Sequence, residues 1–97
     1  MILVREVFQV KYGKMKEAKA LMKEMVGMMP APAGGQTRLL TDLVGPYYTL
    51  VMEMIYKDLA AFETSMSSEM SNPEFGARYQ KFVPLIDSGR REIFTIV

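Results

Sequence analysis

The chain has 97 residues, enough for one domain with a single two-layer core and too few for a second domain behind a linker. Twelve basic and eleven acidic residues leave a formal charge of +1, so no strong field draws the protein to nucleic acid or to an anionic membrane. With no His and no Cys, the chain cannot supply a thiolate nucleophile, a disulfide framework, a Cys or His metal site, a His general base or a His-ligated haem.

No cofactor and no metal are therefore expected. No apolar run approaches bilayer-spanning length, and Arg5 and Glu6 interrupt the amino terminus too early for a signal-peptide core, so the expected location is the cytoplasm. Ten methionines remain to be explained. The plain account is that they fill irregular gaps in the core, and the alternative is that they form a deformable ligand surface.

Residues 2 to about 11 alternate as a first strand, with Ile2, Val4, Glu6, Phe8 and Val10 on the core face and Leu3, Arg5, Val7, Gln9 and Lys11 on the other. Glu6 is the misfit. A carboxylate among apolar neighbours must find donors, pair with a Lys or Arg, or rise in pKa. Tyr12 and Gly13 end the strand, and from Lys14 the spacing of Met15, Ala18, Met22, Met25 and Met29 predicts a helix whose apolar stripe faces the sheet. Lys14, Lys16, Lys19 and Lys23 then form a solvated face, and nothing Gly-rich accompanies them as a phosphate loop requires.

Pro30 to Gly35 reads as a loop, since proline cannot donate its amide and paired glycines favour turns. Gln36 to Val44 alternates weakly as a second strand, on which Arg38 and Asp42 share one side and suit an ion pair. Gly45-Pro46 turns the chain directly into the strongest strand, Tyr47 to Tyr56. Tyr48, Leu50, Met52, Met54 and Tyr56 make its apolar face; Thr49, Val51, Glu53 and Ile55 make a mixed one. Asp58 caps a helix with Leu59, Phe62, Met66 and Met70 as its stripe, and its serines suggest a frayed end. Asn72-Pro73-Glu74 starts another helix, with Phe75, Tyr79, Phe82 and Val83 apolar. Ser88-Gly89 reads as a turn, and Arg90 to Val97 as the last strand.

Strand, helix, strand, strand, helix, strand is the split order of a ferredoxin-like α+β fold: a four-stranded antiparallel sheet, strand order 4-1-3-2, with its helices on one face. The other face carries Val7, Val51 and Ile55, which predicts that two sheets pack together as a homodimer.

Val10-Lys11-Tyr12-Gly13-Lys14, Tyr56-Lys57-Asp58-Leu59-Ala60-Ala61-Phe62 and Ser88-Gly89-Arg90-Arg91-Glu92-Ile93 resemble the corresponding stretches of NIPSNAP-like proteins in the dimeric α+β barrel superfamily. That superfamily also holds antibiotic-biosynthesis monooxygenases, EthD-like proteins and small isomerases. The resemblance implies a single dimeric α+β barrel domain over residues 1–97. Its motifs are structural, so it implies less about function. Haem-degrading relatives use an axial His, which this chain lacks.

Two functions compete, beside a third reading as a purely structural or stress-related assembly unit with no ligand. One is a module that binds a small apolar or aromatic molecule between sheet and helices. The other, implied by the resemblance, is a cofactor-independent monooxygenase or isomerase in which Glu6 acts as base and Tyr48, Tyr56 or Tyr79 donates hydrogen bonds. The pocket candidates are Glu6, Tyr48, Met52, Met54, Tyr56 and Tyr79, and no residue is assigned a catalytic role. Arg78, Arg90 and Arg91 could hold a carboxylate, though arginines at such places more simply keep a surface wet.

Overall fold

The alternation of β-branched and polar residues after Met1 builds the strand at the centre of the sheet, β1 (Ile2–Val10). The computed structural model describes residues 1–29 and 37–97. β1 is followed by α1 (Met15–Met28), β2 (Arg38–Thr41), β3 (Thr49–Tyr56), α2 (Leu59–Met70), α3 (Pro73–Phe82), a 3-10 turn (Val83–Leu85) and β4 (Ile86–Thr95). The strands run in the order β2-β3-β1-β4 and every neighbouring pair is antiparallel. This is the ferredoxin-like sheet and the strand order expected from the sequence. Among the described residues no helix is long and apolar enough to cross a membrane.

Local chemistry sets the helix starts. Gly13 takes a φ of +78°, a left-handed turn that a side chain would strain, and brings the Lys14 amide to within 3.0 Å of the Lys11 carbonyl. The Asp58 carboxylate accepts from the Ala61 amide at 2.9 Å, and the Asn72 side chain accepts from Glu74 at 3.0 Å ahead of Pro73. Each helix then turns an apolar stripe onto one face of the sheet. Ala18, Met22 and Met25 from α1, Phe62 from α2 and Phe82 from α3 are buried in one cluster with Val4, Val10, Leu50, Met52, Met54 and Tyr56. Phe8 and Phe82 meet edge to face, ring centres 5.1 Å apart.

Several boundaries differ from the sequence reading. The expected loop from Pro30 and the start of the expected second strand lie outside the described residues, and β2 itself is short. Arg38 and Asp42 do not pair. Arg38 reaches Glu53 across the strands at 2.8 Å, while Asp42 accepts from the Thr49 amide at 2.7 Å and so closes the β2–β3 connection. On α2, Leu59 and Met70 are exposed and Ser65 is buried, so the stripe is rotated from the one expected. Tyr79 and Val83 are about half exposed.

Ser88-Gly89 is no turn but lies inside β4. Register shifts between Gln9 and Val10, so that Gln9 faces Ser88 and Val10 faces Ile86, leaving Asp87 as the extra residue of a bulge. Glycine serves here as room for a neighbour. A Cβ at position 89 would stand 3.1 Å from the Phe8 ring, which packs over it.

Candidate functional site

The face of the sheet beneath the helices encloses a cavity of about 230 Å³. Alternation along β3 aims Met52, Met54 and Tyr56 into it, and alternation along β1 aims Glu6 and Phe8. Helical spacing does the same from above: Met22, Met25 and Met29 come from α1, Phe62, Met66, Glu69 and Met70 from α2, and Phe75, Tyr79 and Phe82 from α3. Seven of the chain's ten methionines therefore line one space.

The polar groups collect on one side. Register puts Glu6 directly between Met52 of β3 and Arg91 of β4. Arg91 donates to both Glu6 carboxylate oxygens, from Nε to Oε1 and from Nη2 to Oε2, the second at 3.2 Å. The Arg91 guanidinium also sits over the Phe62 ring, 5.1 Å from its centre. The hydrogen bond to Glu6 holds Arg91 still more firmly protonated than an ordinary arginine, against the opposing effect of burial.

A second chain of hydrogen bonds runs from β3 to α2. The Tyr56 hydroxyl donates toward Ser65 Oγ at 3.3 Å and lies 3.4 Å from Met54 Sδ; Ser65 in turn donates to Glu69 Oε1 at 3.2 Å. Burial pushes the Glu69 carboxyl up; the Ser65 bond works against it, the negative charge of Glu6 adds to it, and the Arg91 charge relieves part of it. Burial likewise raises Tyr56, opposed by its bond to Ser65 and assisted by the charges of Glu69 and Glu6. Among the described residues no three His, Cys, Asp or Glu side chains converge where a metal ion could sit.

Five of the six pocket candidates border this space: Glu6, Met52, Met54, Tyr56 and Tyr79. Tyr48 does not. It meets Tyr12 edge to face and lies tilted against Tyr47 just before β3, ring centres 5.2 and 5.6 Å away. Three polar groups escaped the sequence reading as pocket residues. Arg91 reads from the sequence as a surface residue beside a turn or a holder of a carboxylate, and the register of β4 against β1 sets it opposite Glu6. Ser65 and Glu69 stand three and seven residues after Phe62, on the same side of α2, a spacing that could have marked them.

No family model matches the chain, and no curated protein matches it. Solved structures do. A NIPSNAP family protein with unknown function from Agrobacterium tumefaciens superposes with a TM-score of 0.82 at 14% identity, over 97% of this chain and 86% of that one. An uncharacterized NIPSNAP-like domain protein from Burkholderia xenovorans gives 0.84 at 16%, over 99% and 84%. SnoaB, a cofactor-independent oxygenase from Streptomyces nogalater, gives 0.72 at 15%, over 98% and 91%. At these identities the likeness is one of fold.

Proposed function

We propose that this protein is a dimeric binding module of NIPSNAP-like fold that holds a small apolar or aromatic molecule between its sheet and its helices. The observation that carries the reading is the convergence of seven methionines on one cavity with aromatic rings for walls. Unbranched thioether side chains repack around a guest at little cost, and a core that needed only filling would not leave about 230 Å³ in their midst. Exposed Met70 and half-exposed Tyr79 stand at the entrance.

The alternative, cofactor-independent oxygenation or isomerisation, uses the same cavity but needs a free base beside the ligand. Glu6, the base expected from the sequence, is held by Arg91 through both oxygens, which takes that residue out of the role. The proposal includes a homodimer through the bare sheet face. Val7 and Val51 are already buried there within one chain, whereas Leu40 and Phe94 are left exposed, and these are the residues a partner sheet would cover. It also keeps the protein in the cytoplasm, the setting expected from its sequence.

The test is methionine-methyl NMR with naphthalene and indole as probes. The methyl signals of Met52, Met54 and Met66 are expected to shift saturably while those of Met1 and Met28 stay still. Stationary cavity signals at millimolar probe would overturn the ligand reading. For the dimer, sedimentation is expected to give twice the chain mass at micromolar concentration, and Phe94→Lys to release monomers.

A further inference from the structure

The three charged side chains on the cavity wall do not cancel. Arg91 is the one cation among the described lining residues, against the carboxylates of Glu6 and Glu69. It is also committed: two of its nitrogens serve Glu6 and its plane covers Phe62. A ligand anion could reach only the guanidinium hydrogens that Glu6 leaves over, and there one positive charge would face three negative ones.

The hydrogen bonds point the same way. Ser65 donates to Glu69, so its proton is turned toward the α2 carboxylate, while the Tyr56 hydroxyl lies within reach of both Ser65 Oγ and Met54 Sδ as acceptors. Among the described residues the Glu69 carboxylate accepts from Ser65 alone, which leaves its other oxygen as an unfilled acceptor, and the Tyr56 oxygen keeps lone pairs as well. Tyr79, at the entrance, can donate or accept. The wall thus offers acceptors and negative charge where a guest's polar end would lie.

We infer that the guest is headed by a hydrogen-bond donor, a hydroxyl or an amine, on an apolar body, and that carboxylates and phosphates are turned away. This rests on the ligand-binding reading and adds the headgroup to it. Burial and the charge of Glu6 already push the Glu69 carboxyl up; a second anion beside it would add to that repulsion, whereas a donor relieves it.

The experiment compares three probes of one shape, 2-naphthol, 2-methoxynaphthalene and 2-naphthoate, titrated at pH 7 against the methionine-methyl signals. Naphthol is expected to bind about tenfold tighter than naphthoate, because the anion meets like charge and the donor meets free acceptors. Methoxynaphthalene, which cannot donate, is expected in between. In Glu69→Gln the gap between naphthol and naphthoate is expected to narrow to about threefold, chiefly through tighter naphthoate binding, since one of the two carboxylate charges is gone. Naphthoate binding as tightly as naphthol, all three probes binding alike, or a gap unchanged in Glu69→Gln would overturn the headgroup inference while leaving the cavity a ligand site. If no probe moves a cavity methyl, the ligand reading falls and this inference with it. The comparison on the unaltered protein decides the matter even if the variant fails to fold.

Discussion

Arg5 and Glu6 are neighbours on β1 that face opposite sides of the sheet, and their surroundings solve the same problem in opposite ways. On the open face, one cross-strand row carries Arg38, Glu53, Arg5 and Glu92, and Arg90 reaches the same Glu92. Glu53 lies 2.8 Å from Arg38 and 2.9 Å from Arg5; Glu92 lies 3.1 Å from Arg5 and 3.3 Å from Arg90. The Arg5 Nε contact with Glu53 is an ion pair whose angle falls outside hydrogen-bond geometry. Each carboxylate there has two guanidiniums. Under the helices there is one guanidinium for two carboxylates: Arg91 is taken by Glu6, and Glu69 is left to a serine. Water tolerates a surplus of cations on the open side; beneath the helices an unmatched charge must be met by hydroxyls or shifted in pKa.

The largest expected difference between the two faces comes from removing one arginine on each. Arg91→Met strips the nearly covered Glu6 of its partner and is expected to cost about 2–3 kcal/mol in urea unfolding. Arg90→Met leaves Glu92 with Arg5 and is expected to cost less than about 0.5 kcal/mol. Equal losses would erase the contrast. Glu53→Gln comes next, at about 1 kcal/mol, because one substitution releases both Arg38 and Arg5. The Arg38 part of that cost is expected to shrink between 0.1 and 1 M salt, because Arg38 is 67% exposed although Glu53 is only 13% exposed.

The smallest effect is a slope with pH. The raised Glu69 carboxyl binds its proton more tightly in the folded chain than in the unfolded one, so the stability it contributes is complete below the ordinary value of 4.5 and is lost as pH rises through the raised one. Unfolding midpoints are expected to fall across that window in the parent and to flatten in Glu69→Gln. A parent whose midpoint rises there, with the same rise in the variant, would place the titrating group elsewhere.

The parts of this molecule that were legible in the sequence are those fixed by near neighbours in the chain. Period-two alternation gave β1 and β3, caps at Asp58 and Asn72 gave the helix starts, and element order gave the sheet. The pairing of Glu6 with Arg91 spans 85 positions and depends on the register of β1 against β4, which no local pattern announces. Gly89 misled for a related reason. Glycine after serine is turn chemistry until Phe8, far away in sequence, needs the space. On α2 the serines read as weak helix formers, yet Ser65 faces inward because Tyr56 and Glu69 give its hydroxyl partners.

Gly89 has one more effect, on the shape of the hollow. Phe8 lines the cavity, leans on Phe82 and rests over the bare backbone of position 89. A methyl group there would force the ring to give way by a few tenths of an ångström. The room available inside thus depends on a residue of the edge strand that does not itself line the cavity, so a substitution at position 89 would change the chamber without altering one of its polar groups.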